Sequence, residues 1–248
     1  MWKYLHKYAS PPYFYAWAGR MIPWVGALTA LCLLYGAWGG LVMAPIDEEM
    51  GNGFRIIYVH VPAAWMSLFI YVMMATYAAI GYIWRIKLAH AVAAASAPIG
   101  ASFTALALAT GSIWGRPMWG TWWEWDPRLT SELVLLFLYF GVMALRASFD
   151  DVNRADRASA LLAIVGVINV PIIHFSVQWW NSLHQGPTVS KIGKPEIATS
   201  MLVPLLVMTV GFMLYYATVL LMRMRAEVLE RERNTRWVKE FINEPAAS

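Results

Sequence analysis

Six apolar runs dominate the chain, at roughly residues 22–44, 61–84, 91–112, 127–146, 157–180 and 199–222. Each is close to the ~20 residues needed to cross a bilayer as a helix. Hydrocarbon cannot hydrogen-bond to the backbone, so such runs must satisfy their peptide groups internally. The expected fold is therefore all-α: a polytopic integral membrane protein with six transmembrane helices, forming one domain over residues 1–248. Composition agrees: 59% of the residues are hydrophobic and 14% are charged, against about 25% charged in a soluble domain. No phosphate loop, nucleophile elbow or metalloprotease helix is present, and the chain reads as a binding protein, not an enzyme.

Basic residues set the topology. Residues 1–20 are aromatic and basic (Lys3, Lys7 and Arg20, with Pro11 and Pro12), which reads as an interfacial arm. Together with the 85–90 loop, the 146–157 loop and the tail at 223–248, this side carries 14 of the 19 lysines and arginines. The opposite side carries Arg55, Arg116, Arg128, Lys191 and Lys194. The positive-inside rule makes the first side cytoplasmic, with both termini there. The net charge of +4 is spent on topology, and no nucleic-acid partner is expected. Val42-Met43-Ala44 resembles a signal cleavage site, but the run before it exceeds the usual 7–15 residues, so it reads as a retained first helix. The third run is rich in Ala, Gly and Ser, which favours close helix packing in lipid. Cys32, the single cysteine, reads as a small core residue. The tail reads as an amphipathic extension of the last helix.

The densest chemistry lies between the third and fourth runs. Trp114 to Asp126 holds five of the 14 tryptophans, and its Gly115, Pro117 and Gly120 argue for an outward loop over 113–127. Trp114, Trp119, Trp122, Trp123 and Trp125 can form a platform for a flat, apolar, partly polar ligand, for which haem is the leading candidate. The alternative is an aromatic belt at headgroup level. His60 and His184 share this surface. Imidazoles are common axial ligands of haem iron, and the tryptophans can support the macrocycle by offset stacking. Arg55 and Arg128 stand on the same side with forks suited to propionates; each equally suits a headgroup marker.

The remaining candidates have structural readings. Asp126 precedes Pro127, a pattern that starts a helix, so it is expected to cap the fourth helix and fix the loop. Glu132 is spaced to pair with Arg128. His174 is intramembrane, which makes it a functional candidate by default; one hydrogen bond inside the bundle would satisfy it. His6 and His90 lie on the cytoplasmic side. Trp179 and Trp180 extend the platform or belong to a belt. Zinc is a weaker reading, because two outer histidines with Asp47, Glu48 and Glu49 make a poor tetrahedral site.

Trp119-Gly120-Thr121-Trp122-Trp123-Glu124-Trp125-Asp126 is similar to the W-G-x-x-W-x-W-D signature of the haem-handling (WWD) membrane proteins of cytochrome c biogenesis. Two kinds of member carry more helices. Six helices, the continuation Asp126-Pro127-Arg128-Leu129-Thr130-Ser131-Glu132 and a histidine on each side of the motif resemble the haem exporter branch, over essentially the whole chain. The resemblance implies haem b held at the periplasmic face of the bacterial inner membrane, with His60 and His184 as axial ligands. It implies delivery to a membrane-anchored periplasmic haem chaperone. The implied partners are an ABC ATPase subunit, a membrane permease-like subunit and a small single-helix subunit, with ATP hydrolysis in the ATPase. The competing readings are a membrane b-type redox cytochrome, a transporter carrying haem across the membrane, and a structural assembly subunit.

Overall fold

The structure, a computed structural model, describes residues 10–184 and 197–243. Lys3, His6, Lys7, Lys191 and Lys194 lie outside the described residues. Helix α1 (Pro11–Trp38) runs into a π-helical turn, Gly39–Met43. A short 3-10 segment, Asn52–Ile56, leads into α2 (Ile57–Trp84). Then come α3 (Lys87–Trp119), α4 (Pro127–Ala147), α5 (Val152–Gly166), α6 (Asn169–Trp179), α7 (Thr199–Arg231) and α8 (Arg236–Asn243). No strand occurs among the described residues, and six helical stretches are long and apolar enough to cross a membrane, α5 and α6 together forming one of them. The protein is an all-α, multi-pass membrane protein.

Several boundaries differ from the sequence expectation. Residues 11–20 are the start of α1 and not an arm. Pro11 and Pro12 occupy its first turn, where the missing N–H groups cost nothing and the fixed φ favours the helix. The fifth span is broken at Val167–Ile168. Pro171 cannot donate to the carbonyl of Val167, which instead accepts from Val170 N at 3.0 Å in a tighter turn. The Asn169 amide bridges this break to Ser131 O at 2.9 Å. The last span continues about two and a half turns past residue 222, to Arg231, and α8 follows as a separate short helix.

Helices α2 to α5 enclose the main core, built on Met66, Ile70, Tyr71, Met74, Leu135 and Tyr139. Helix α3 is the most enclosed span: 67% of its apolar window is buried, against 22% for α1. Its small residues make this possible. A Cβ on Gly100 would stand 2.1 Å from the Tyr139 ring, so the α3–α4 approach requires glycine there. Tyr139 OH in turn donates to Ser67 O at 2.8 Å, tying α4 to α2. Helix α1 lies against α7, with Thr29 and Thr218 hydroxyls 3.0 Å apart. Cys32 is half-buried on this seam, near Gly211.

The end of the bundle opposite the tryptophans is closed by charge. Arg231 reaches both Asp156 oxygens at 2.7 and 2.8 Å and Glu227 at 2.7 Å. Arg146 bonds Glu227 at 2.6 Å and also Asp156. This network joins the ends of α4 and α7 to the start of α5, and it explains why α7 stays helical beyond the apolar run. Helix α8 folds back on α1, with Tyr15 between Trp237 and Phe241 at 5.9 and 5.2 Å and the Arg225 guanidinium 4.1 Å over the Tyr15 ring.

Candidate functional site

The tryptophan stretch is half helix and half loop, which corrects the expected loop at 113–127. Helix α3 continues to Trp119, and the chain leaves it at Gly120, whose φ of 79° is left-handed. That conformation is open to glycine and strained for other residues. Pro117 is tolerated within the helix here, in its last turn. The Arg116 guanidinium donates to Gly120 O, and the Thr121 hydroxyl donates to Trp123 O at 3.0 Å, so the turn is internally tied.

The fold sorts the five tryptophans into two sets. Trp114, Trp119 and Trp123 are half-buried, whereas Trp122 and Trp125 are 59% and 74% exposed. The indole N–H groups of Trp114 and Trp123 are buried without a partner among the described residues. Trp123 and Trp125 meet edge to face at 5.5 Å. Trp179 and Trp180 are exposed, and their described ring contacts are with each other and with Phe175. That placement favours the belt reading for this pair.

His60 enters from the first turn of α2. Its Nδ1 lies 3.1 Å from Ala107 O and 3.0 Å from Thr110 Oγ1. A carbonyl oxygen only accepts, so Nδ1 carries the proton and Nε2 keeps its lone pair. The Thr110 hydroxyl donates to Leu106 O at 2.7 Å, leaving its oxygen to accept from the imidazole. Gly111 leaves room for the ring, which lies 3.1 Å from where a Cβ would be. The ring meets Trp114 edge to face at 5.6 Å.

His184 follows α6 in the outer segment. Its Nδ1 is 3.2 Å from Asp126 Oδ1. A carboxylate accepts, so this imidazole also holds its proton on Nδ1 and leaves Nε2 free. Its ring meets Trp119 edge to face at 4.9 Å. Burial is the largest influence on its pKa and lowers it, with Arg128 acting in the same direction and Asp126 opposing. The neutral imidazole is therefore favoured at pH 7. His60 and His184 lie within electrostatic reach of one another and of Arg128.

Asp126 holds this arrangement together. It caps α4 as expected, its Oδ1 accepting from Arg128 N at 2.8 Å and Leu129 N at 3.3 Å. It also accepts from Leu183 N at 2.9 Å through Oδ2. Burial raises its pKa, but hydrogen bonds from Ser182, Leu183 and Arg128 N, together with His184, outweigh burial and hold it below the usual value. Thr110, Gly111 and the carbonyl of Ala107 were not marked by any sequence motif. Only the α2–α3 packing brings them to His60.

The arginines separate. Arg55 donates to Leu41 O and to Ala44 O at 3.0 Å, so its fork closes the carbonyl end of α1. Arg128 is half-buried beside both histidines, and no carboxylate lies within ion-pair distance of it among the described residues. The expected Arg128–Glu132 pair does not form. Glu132 points into the bundle, and its Oε1 is buried without a partner among the described residues. His174 also departs from expectation: its side chain is exposed, and its described contact is the Phe175 ring at 4.7 Å. Among the described residues no three His, Cys, Asp or Glu side chains converge on a metal-sized site.

The comparisons with known proteins agree over nearly the whole chain. A family model described as heme exporter protein C matches residues 4–239. The chain is 52% identical over 242 residues to heme exporter protein C of Escherichia coli (strain K12), covering 98% of each. It is 49% identical over 239 residues to the Haemophilus influenzae protein of that name, covering 96% of this chain and 97% of the relative. It is 48% identical over 223 residues to the Bradyrhizobium diazoefficiens protein, covering 90% and 84%. With a match of this extent, the chain belongs to the CcmC family, that of heme exporter protein C.

Proposed function

We propose that this protein binds haem b at the periplasmic face of the bacterial inner membrane and hands it to a membrane-anchored periplasmic haem chaperone during c-type cytochrome biogenesis. The observation that carries the reading is the pair of imidazoles on separate elements. Both hold Nδ1–H in a hydrogen bond and leave Nε2 unengaged among the described residues, and each sits edge-on to a tryptophan of the same helix end. A second group that fixes the tautomer and orientation of a ligating histidine is the usual support for metal binding. The donor set therefore fits an iron held from two sides by His60 and His184.

The remaining residues fit the rest of the ligand. Trp114 and Trp119 line the histidines, and Trp123, half-buried in the same loop, adds apolar surface. Arg128, with no carboxylate within ion-pair distance among the described residues, is the better placed of the two arginines to meet a propionate; Arg55 keeps the end of α1 in order. Trp122 and Trp125 face outward, where a docking chaperone can meet them. A carrier must both hold and release its cargo, and an exposed edge allows a partner to approach the far side.

The chain works within an ABC-type complex containing an ATPase subunit, a permease-like membrane subunit and a small single-helix subunit. Its part is to bind and present haem, with no hydrolytic role. The basic end, with the α8 tail, faces the cytoplasm.

The test is the visible spectrum of the purified protein beside His60→Ala and His184→Ala. Low-spin haem in the wild type, shifted to high spin or lost in both variants, is expected. An unchanged spectrum in both would remove these histidines from the iron, and a haem-free protein from haem-replete cells would favour a structural subunit.

A further inference from the structure

Three helices meet around Tyr15 at the basic end of the bundle: α1, which carries it, α7 through Arg225, and α8 through Trp237 and Phe241. The Arg225 guanidinium stands 4.1 Å over the Tyr15 ring. It is also 3.2 Å from where a Cβ on Gly19 would be, so it rests against the α1 backbone. Two donors at this junction are unsatisfied. Arg225 Nε and Trp237 Nε1 are both buried without a hydrogen-bond partner among the described residues. The neighbouring cations differ: Arg231, Arg233 and Arg236 each hold a carboxylate. Among the described residues no carboxylate lies within ion-pair distance of Arg225. The Tyr15 ring face attracts its charge but leaves the Nε–H without an acceptor.

The level of the junction follows from α1. Residues 21–43 carry no charge and, at 1.5 Å per residue, run for about 34 Å, close to the ~30 Å of hydrocarbon in a bilayer. Gly19 and the exposed Arg20 therefore stand at the headgroup layer. Trp17 and Trp24, both exposed, flank that level as interfacial tryptophans do. Helix α8 lies at the same height, since it packs on Tyr15. It is amphipathic, with Trp237, Val238, Phe241 and Ile242 on one side and Arg236, Lys239, Glu240 and Asn243 on the other. Val238 is buried against the bundle, while Phe241 and Ile242 remain exposed beside it, the arrangement of a helix lying in the plane of the interface.

We propose that the α1–α7–α8 junction binds the phosphate of an anionic phospholipid, with Arg225 and the Trp237 indole N–H as its donors. The chemistry defines the ligand. Buried donors need acceptors, and an indole and a guanidinium can only donate, so the ligand is rich in acceptor oxygens. A guanidinium fork with no carboxylate suits phosphate oxygens. A zwitterionic headgroup would bring an ammonium beside Arg20 and Arg225, so a headgroup of net negative charge fits better. The depth and the exposed Phe241 and Ile242 separate a lipid from a free anion, because the ligand's apolar part has surface to cover. Basic pockets beside transmembrane helices at this level are usual headgroup sites. The site lies at the opposite pole from the histidines, and the inference stands apart from haem binding.

The test places the full-length chain in nanodiscs of phosphatidylcholine mixed with phosphatidylglycerol and counts retained lipid by native mass spectrometry. The wild type is expected to keep a phosphatidylglycerol in preference to phosphatidylcholine. Arg225→Gln is expected to weaken that retention roughly tenfold or more, the usual effect of losing a charged hydrogen bond. Trp237→Phe keeps an aromatic ring against Tyr15 and removes only the N–H, with a loss of roughly two- to tenfold expected. It carries the test alone if Arg225→Gln fails to fold. Arg223→Gln removes the same charge from an exposed position on the far side of α7 and is expected to change nothing. Three results would each overturn the proposal. Equal retention by all four proteins would leave Arg225 as a packing cation on Tyr15. An equal fall in Arg223→Gln and Arg225→Gln would reduce the effect to general attraction between basic protein and anionic membrane. Displacement of the lipid by inorganic phosphate at matched concentration would make this a site for a free anion.

Discussion

Asp126 serves three positions with one carboxylate: the first turn of α4, the backbone of Leu183 and the ring of His184. Two substitutions separate these roles. Asp126→Asn keeps a good helix cap but replaces the anion facing His184 with a neutral amide. Its expected effect is a 10- to 100-fold loss of haem affinity, about the usual effect of removing a partner of a ligating histidine, with a loss of thermal stability of about 1 kcal/mol because the amide nitrogen cannot accept from Leu183 N. Asp126→Ala loses the cap as well, at a further cost of about 1 kcal/mol. Haem titration and a melting curve on the same samples distinguish the two; equal haem affinity in wild type and Asn variant would reduce Asp126 to a cap. Because the hydrogen bonds hold this carboxyl below its usual pKa, the anchor is complete at neutral pH and is lost only as the pH falls below about 4. The capping role was legible from Asp126-Pro127 alone. The contact with His184 was not, since 58 residues separate the two and only the fold closes that gap. The same limit applies to Arg55 and Arg128. Sequence placed them on one surface, but only packing gave the first to carbonyls and left the second beside the histidines.

At the level of elements, the length of the apolar runs located all six spans and missed how they start, break and end. Pro11, Pro171 and Gly120 each act through one backbone group, and an averaged apolar run cannot register that. Close approach between helices is similarly hidden. Gly100 reads as one more small residue of the third run, yet it faces Tyr139, whose hydroxyl is already held by Ser67 O. Gly100→Ala is therefore expected to destabilise the bundle by about 1–3 kcal/mol, the usual range for overpacking. Gly53→Ala, with open space around it, is expected to be silent. Equal melting temperatures for the two would mean that α3 and α4 can separate freely. The charged end makes a second prediction. Asp156 has a 5% exposed side chain and receives both arginines. Asp156→Ala leaves Arg146 and Arg231 with Glu227 alone, a loss of about 3–5 kcal/mol for a broken buried pair. Its signature is a fall in folded yield and melting temperature in detergent, with the haem spectrum of the surviving protein unchanged because the site lies at the other end. A shifted spectrum would mean that the two ends are coupled.

At the scale of the molecule, the tryptophan site and the ionic network with α8 mark opposite poles of a bundle crossed an even number of times, so orientation decides which compartment the site serves. The charge asymmetry argues that the network faces the cytoplasm. Orientation can be checked directly, because the chain has one cysteine and Cys32 lies half-buried inside α1 on the seam with α7. A membrane-impermeant maleimide has no native target in the aqueous phase. Glu124 and Arg236 are both exposed, at opposite poles. Glu124→Cys is expected to react in intact spheroplasts. Arg236→Cys is expected to react only after the membrane is opened. The reverse pattern would put both histidines on the cytoplasmic side, and a periplasmic chaperone could not then reach them. Labelling of Glu124→Cys should also fall when haem or the chaperone is bound, since this position lies between the outward-facing Trp122 and Trp125. The same sample thus reports on topology and on occupancy. A position that labels from outside but ignores both ligands would keep the orientation and remove the exposed half of the tryptophan loop from the hand-over surface.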